Sequence, residues 1–383
     1  MHTIGDLKNS VSGLLTGTTL DNITNLYGAI ERAARVLVQK ADIPEASGRQ
    51  SITLYDGVFD YTAPTTIFGT ALTDFRPQGN SRTSLDVPYK TQLVDFDRTK
   101  NFVVNGYKLG FEYRKGTAIL RVSSPNPTPR EILDAMTDDD GWTAAGSASG
   151  LIEDETVYYD SPVSLRFTLT GSSTGTLTKT ISQVDMDKYE DVGVAFLAIR
   201  IPDGATASQL TSIALRLGNS STVYDEVSDT DGFLGAWVVG EWLLVAFDFS
   251  GATSTGTPDW NAIDYVQIRL AHTATLTNFR VGGLWISLPS PHEVLFQSPA
   301  LFLVSSTVSA TITDDNDTII LNDAAYTLFE YEVAVTISEQ STQGKPNGVS
   351  EGYKSKLDKE LYPIYRADNP SEELRTISNW YYD

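Results

Sequence analysis

Apolar and polar positions alternate through the middle of the chain. From Ser164 to Thr170, Leu165, Phe167 and Leu169 point one way while Arg166 and Thr168 point the other. The same period of two sets Val245, Phe247 and Phe249 against Asp248, and Val266, Ile268 and Leu270 against Gln267 and Arg269. Each such strand buries one face. The run VGVAFLAIRI, Val192 to Ile201, is almost continuously apolar, which predicts a central strand covered on both sides. Gly, Ser and Thr clusters at 171–177, 218–222 and 250–257 supply turns at the spacing of two packed sheets. Residues 138–288 therefore read as an antiparallel β-sandwich.

The flanks change period. Ile23, Leu26, Tyr27, Ile30, Ala33, Ala34 and Leu37 fall on one face of a helix over 20–40, started by Thr19 or Asp21 and ended by Pro44 and Gly48. SITLYDG and VFDYTAP then read as a hairpin, with Ile52 and Leu54 on one strand and Phe59 and Tyr61 on the other. Residues 68–89 are irregular and polar and predict an extended loop reaching a neighbour. Asn105-Gly106 and Lys115-Gly116 mark tight turns between short strands. Pro125, Pro127 and Pro129 lead into a proline-rich linker over 126–137. Beyond 288, Asn322 or Asp323 caps a helix carrying Ala324, Leu328, Tyr331 and Val335 on one face, and a more charged helix runs from about Gly352 to Tyr365. The tail, 366–383, ends in Trp380, Tyr381 and Tyr382, an aromatic cluster placed to dock on something.

The predicted class is α+β and multidomain. Residues 1–125 and 289–365, helical with short strands, form two halves of one domain interrupted by the sandwich. A length of 383 residues suits that division, since a single core rarely serves so long a chain.

Charge narrows the partners. Lys and Arg number 28 against 49 Asp and Glu, a formal net charge of −21 that repels a phosphate backbone, so no sequence-specific nucleic-acid partner is expected. Arg32, Arg35 and Lys40 read as a solvated helix face. The absence of cysteine excludes disulfides and thiolate metal sites. No run approaches a membrane span and the N-terminus lacks an export signal, so a soluble protein without a membrane partner is expected.

Candidate chemistry is sparse. His2, His272 and His292 lack the spacing of metal ligands or a general base, no GxSxG elbow is present, and GATSTGT (Gly251 to Thr257) lacks the ending of a phosphate loop. The carboxylates of Asp314, Asp315 and Asp317 read as a solvated turn, and those of Asp138, Asp139 and Asp140, better placed for a structural calcium ion in the opening loop of the sandwich, are not assigned one. No catalytic residue, cofactor or metal is assigned, and the chain is not expected to be an enzyme. Five tryptophans lie in the sandwich. Trp242 and Trp285 sit in buried contexts, whereas Trp237 and Trp260 are the pair in exposed contexts, open to stacking on sugar rings or to a core or rim role.

The succession DDGW, Ser-Leu-x-Phe, DMDKYEDVGVAFLAIRIPD and FDFSGATSTGTPDWNAIDYVQIRL over 138–288 resembles the jelly-roll modules of carbohydrate-binding and galactose-binding domains. That likeness implies a jelly roll able to hold a host glycan. In the family an Asp on the last strand often helps to hold calcium, whereas here Gly282 and Gly283 stand near that place. Separately, TIGDLKNSVSGLL, ITNLYGAIERAARVLVQKADIP and the C-terminal NDTIILNDAAYTLFEYEVAVTISEQ and YKSKLDKELYPIYRADNPSE resemble tailed-phage head-to-tail connector, or adaptor, proteins.

That second likeness implies a structural virion protein of the neck or tail, made in the host cytoplasm. It would form a homo-oligomeric ring, a dodecamer in the adaptor case, against the portal and other neck proteins, with the sandwich as an outward decoration. Subunit packing would then fall to Ile23, Leu26, Ile30, Leu37, Leu328, Tyr331 and Val335, and docking to Trp380, Tyr381 and Tyr382. The alternative is a glycan-binding fibre, spike or collar protein that uses the jelly roll for host attachment.

Overall fold

Strands of period two build the middle of the chain into two facing antiparallel sheets. The computed structural model describes residues 2–15, 20, 25–62, 71–77, 91–92, 102–104, 107–114, 117–123, 130–159, 162–304, 312, 314–340 and 348–368. They divide into two units, one within Met1–Ile52, Thr62–Ser123 and Pro291–Asp383, the other within Thr53–Tyr61 and Ser124–Ser290.

The second unit is the sandwich. One sheet has six strands in the order Thr143–Gly146, Ser173–Val184, Ile263–His272, Leu210–Ser220, Val223–Asp229 and Thr253–Thr255. The other runs Ala148–Asp154, Ser164–Leu169, Leu276–Ser287, Val194–Arg200 and Trp242–Asp248, with Glu131–Asp134 paired onto Leu276–Ser287. The inward positions expected from alternation, among them Leu165, Phe167, Val245, Phe247, Val266, Ile268 and Leu270, all enter one hydrophobic core between the sheets. Such burial removes apolar area from water at roughly 25 cal/mol per Å² and dominates the stability of a two-sheet fold.

Val194–Arg200 is buried on both sides, as its continuous apolar run predicts. Ala195, Leu197 and Ile199 enter the sandwich core. Phe196, fully buried, faces outward into an aromatic layer of Tyr55, Phe233 and Trp285. Tyr55 comes from Thr53–Tyr61, a stretch that the sequence places in the N-terminal flank.

Three expectations fail in this region. Ser47–Leu54 and Asp60–Thr62 belong to different sheets and form no hairpin. The turn between them folds instead around the Tyr61 hydroxyl, which accepts from the Tyr55 amide at 2.9 Å and lies 3.1 Å from the Val58 carbonyl. Glu131–Asp134, read as linker, is a strand because Leu133 has a place in the core. Ala71–Pro77, read as part of a loop, is a strand paired with Ser290–Gln297, and it buries Phe75.

The first unit is built on helices α1 (Ile4–Leu14), α2 (Leu26–Lys40), α3 (Asp323–Gln340) and α4 (Gly348–Lys356). Asn322 caps α3 through a bond from the Ala325 amide at 2.9 Å. α3 packs against α1, α2 and α4, and it is buried around most of its circumference rather than on the single face expected, while Ala324 is exposed. Glu332 on α3 is buried yet satisfied, by Lys40 at 2.9 Å and the Tyr362 hydroxyl at 2.7 Å. The Asp314–Asp317 turn is not a solvated loop. Its Asp317 is fully buried, and its backbone carbonyls accept from Ile4 and Gly5 at the start of α1.

Leu26, Ile30, Leu37, Leu328 and Val335, expected at a subunit boundary, are enclosed in the core of their own unit, with Tyr331 packed against it. The α2 and α3 faces bury each other, which leaves these side chains no surface to offer a second copy. Ile23 and the tail residues Trp380, Tyr381 and Tyr382 lie outside the described residues. Val104 pairs with Tyr107 and Arg114 with Thr117 in an antiparallel meander, while Asn105-Gly106 and Lys115-Gly116, where tight turns are expected, lie outside the described residues. Among the described residues no helix is long and apolar enough to cross a membrane.

Candidate functional site

The two sheets of the sandwich carry opposite chemistry on their outer faces. Outside the sheet containing Val194–Arg200 lies the aromatic layer just described. The other sheet presents polar and aromatic side chains in cross-strand rows, because Tyr265, Gln267 and Arg269 and the residues paired with them on the neighbouring strands alternate with the core positions.

Register defines those rows. Gln267 pairs with Thr178 on one side and Arg216 on the other, and Arg216 pairs with Glu226. The side chains bond along the same line. Gln267 Nε2 donates to Thr178 Oγ1 at 3.0 Å, and Arg216 Nη1 donates to Gln267 Oε1 at 3.0 Å. Arg216 Nε donates to Glu226 Oε2, an oxygen that also accepts from Arg269 Nη1 at 2.8 Å. Burial raises the Glu226 carboxyl, but the bonds and charges of Arg216 and Arg269 outweigh it and hold the group below its ordinary value.

The next row is Thr180, Tyr265, Gly218 and Tyr224. Gly218 separates two tyrosines, and the site has no room for more: a Cβ there would meet the Val223 carbonyl oxygen at 2.2 Å and the Tyr224 Cα at 2.5 Å. The Arg216 guanidinium lies over the Tyr224 ring, 4.1 Å from its centroid. The Tyr265 hydroxyl is buried near Thr178 but makes no hydrogen bond of good geometry, and burial raises its phenol. On the other side of the charged row stand Thr176, Arg269, Ala214 and Ser228. Tyr265 is 8% exposed, so the face offers guanidinium and amide donors, carboxylate and hydroxyl acceptors and one partly exposed ring, that of Tyr224, within a few strands. That set suits a ligand rich in hydroxyls with apolar ring faces.

The tryptophans singled out by the sequence lie elsewhere. Trp237 is 8% exposed and Trp260 3% exposed, and both belong to the sandwich core. Trp260 packs edge-on against Phe249 and donates Nε1 to Asp225 at 2.7 Å, so it is a core residue with a satisfied polar end. Neither can serve as the stacking platform considered for them. Arg216, Tyr224, Glu226 and Tyr265 were missed, and Gln267 and Arg269 were noted only as outward-facing. Their signal was the polar half of the alternation, where aromatic and charged residues replace the usual Ser and Thr.

A recess of about 150 Å³ opens on the opposite sheet, lined by Arg130, Tyr159, Gly282, Gly283 and Trp285 among others. It forms where Leu276–Ser287 changes partner, from Glu131–Asp134 to Ser164–Leu169. The Trp285 indole there is 4% exposed, enclosed by Phe196, Tyr159 and Arg130, with Nε1 donated to the Asp56 carbonyl at 3.0 Å. It has no free ring face. The Ser147 hydroxyl and His272 Nε2 lie 2.6 Å apart, and His272 Nδ1 faces the Ala274 carbonyl at 2.9 Å. His272 is buried, and this pair ties the 146–148 turn to the end of a core strand.

No family model matches the chain, and no curated protein matches it. Among solved structures it is similar to the family 11 carbohydrate-binding module of Clostridium thermocellum in complex with a β-1,3-1,4-mixed-linked tetrasaccharide: 12% identity, TM-score 0.28, 43% of this chain and 94% of that one. It is similar to the family 30 carbohydrate-binding module of a cellulosomal cellulase of Clostridium thermocellum at 13% identity and TM-score 0.31, over 45% of this chain and 98% of that one. A family 22 module of a Clostridium thermocellum xylanase is similar at 15% identity and TM-score 0.27, over 42% of this chain and 92% of that one. Likeness at this level does not carry a function, which has to come from the residues of the face.

Proposed function

We propose that the chain is a glycan-binding protein and that its ligand lies across the outer face of the sheet containing Ile263–His272. What supports this reading most directly is the pairing of a hydrogen-bonded Thr178, Gln267, Arg216 and Glu226 row with the partly exposed Tyr224 ring beside Gly218, on a face whose bonded charged side chains are 18 to 34% exposed. Sugar hydroxyls both donate and accept, so they need such mixed partners held in fixed positions. Their ring faces pack on aromatic planes. Because sheet register sets the positions, ordering the site costs the ligand little. In this reading the chain binds its glycan and does not turn it over.

The adaptor reading of the flanks rests on the loose motifs of 1–125 and 290–383. With Leu26, Ile30, Leu37, Leu328 and Val335 enclosed in their own core, a ring would have to form through other surfaces.

Affinity electrophoresis of the full chain through gels holding single polysaccharides tests the proposal. At least one polymer is expected to retard the protein, and Tyr224→Ala and Gln267→Ala are each expected to release it while thermal unfolding still shows a folded chain. A protein that no polymer retards, or retardation untouched by both substitutions, would remove the assignment.

A further inference from the structure

Resting on the glycan assignment above, we propose that this face selects a polysaccharide carrying carboxylate groups and that Arg269 is the residue that selects it. The charged side chains bonded together on the outer face of the four central strands are Arg216, Arg269 and Glu226, with Asp264 partly exposed at the start of Ile263–His272. Within that bonded cluster two positive charges stand against one negative, in a chain whose formal charge is −21. The remaining outward positions there are uncharged: Thr174, Thr176, Thr178, Thr180, Ser212, Ser228 and Gln267, with the two tyrosines. Lys179, Asp225 and Asp229 alternate to the other side, where Lys179 pairs with Asp134 and Asp225 accepts from Trp260.

A face built for a neutral sugar has no need of a second guanidinium. Glu226 already fixes Arg216 through Nε, and Arg216 fixes Gln267, so the polar row is complete without Arg269. Arg269 instead adds charge at the edge of that row. It commits Nη1 to Glu226 and keeps the most exposed charged side chain of the three, at 34%. A guanidinium presents five donors in a planar fork that matches a carboxylate with two parallel bonds, a geometry an ammonium cannot copy. A uronate ring lying beside Tyr224 would place its carboxylate toward the neighbouring charged row. The acidic remainder of the chain repels such a polymer at long range, so discrimination must arise at contact, within about 10 Å in ordinary salt.

Calorimetry and affinity electrophoresis of the full chain against four probes test this: polygalacturonate, the same polymer after carboxyl reduction, a neutral β-glucan, and dextran sulfate. The expected result is polygalacturonate bound about ten-fold or more tightly than its reduced form, a difference near 1.4 kcal/mol. Arg269→Gln should bring that ratio close to one, and Arg269→Lys should restore only part of it. Unfolding curves of both variants check that they remain folded. Equal binding of the native and reduced polymers, or tighter binding of the β-glucan, would overturn the carboxylate assignment while leaving the glycan face standing. Tighter binding of dextran sulfate would overturn it in favour of sulfate. Failure of all four probes would instead bring down the glycan reading beneath it.

Discussion

The Arg216 guanidinium lies over the ring of Tyr224, 4.1 Å from its centroid, with its Nε donated to Glu226. The guanidinium thus orients an aromatic ring and a carboxylate together, on adjacent positions of paired strands. A cation over a tyrosine contributes on the order of 1 kcal/mol, and the charge-assisted bond to Glu226 holds it there.

Glu226→Gln follows from that arrangement. Its carboxyl is held below the ordinary value when folded, so it contributes stability that is complete above the unfolded value of about 4.3 and lost as pH falls through the folded one. Urea melts at pH 7 should show the variant weaker by about 1 kcal/mol, with the gap closing near pH 3. A gap that persists at pH 3 would assign the loss to packing.

Trp260→Phe separates core from site. The indole Nε1 is a hydrogen-bond donor to the buried Asp225, and removing it should cost about 1–3 kcal/mol of stability. Polysaccharide binding should be unchanged, since Trp260 is enclosed in the sandwich core. Weakened binding in a fully folded variant would return Trp260 to the list of ligand contacts.

Gly218→Ala tests the gap between the tyrosines. The added methyl would press on backbone at 2.2 and 2.5 Å, which only a shift of the neighbouring strand can relieve. Overpacking of this kind costs about 1–3 kcal/mol and should displace Tyr224 from its place under Arg216. Reduced stability together with lost binding is expected, read by thermal unfolding and affinity electrophoresis. Binding at the original strength would show that the tyrosine spacing is not used.

Much of the sandwich was legible because alternation needs only neighbours. Leu165, Phe167 and Leu169, or Val266, Ile268 and Leu270, announce their burial without knowing which strand pairs with which. The site was not legible, because Arg216, Gln267 and Glu226 lie on three strands and meet only through register, and a single sequence does not show register. Tryptophan drew attention for its size. Trp260 is buried because its polar end finds Asp225, a partner 35 positions away. The flanks misled for a related reason: one apolar face on α2 demands a partner, and sequence cannot tell a helix of the same chain from that of a neighbour. The start of α1 could have been found. Thr3 and Asp6 stand at capping-box spacing, and each side chain accepts from the other's amide at 3.1 and 2.9 Å.

Asp154→Asn probes the other sheet, where a buried carboxylate joins three strands. Asp154 accepts from the Thr156 amide at 2.9 Å and from Arg280 Nε and Nη2 at 2.9 and 2.8 Å, with Arg166 Nε 3.7 Å away. Burial raises this carboxyl, yet the bonds from Thr156 and Arg280 prevail and hold it well below the usual carboxylate range. An amide in its place keeps the shape but faces two guanidiniums with no counter-charge, and breaking a buried pair in that way costs about 3–5 kcal/mol. With the folded value depressed, the contribution of the native carboxylate is complete above the unfolded value of about 3.9 and fades only as pH falls far below it. The variant should therefore be weaker at pH 7 and lose part of the acid dependence of the native chain. Denaturant melts from pH 7 to pH 2 measure both, and parallel curves with a difference below about 1 kcal/mol would mean that Arg280 is satisfied without Asp154.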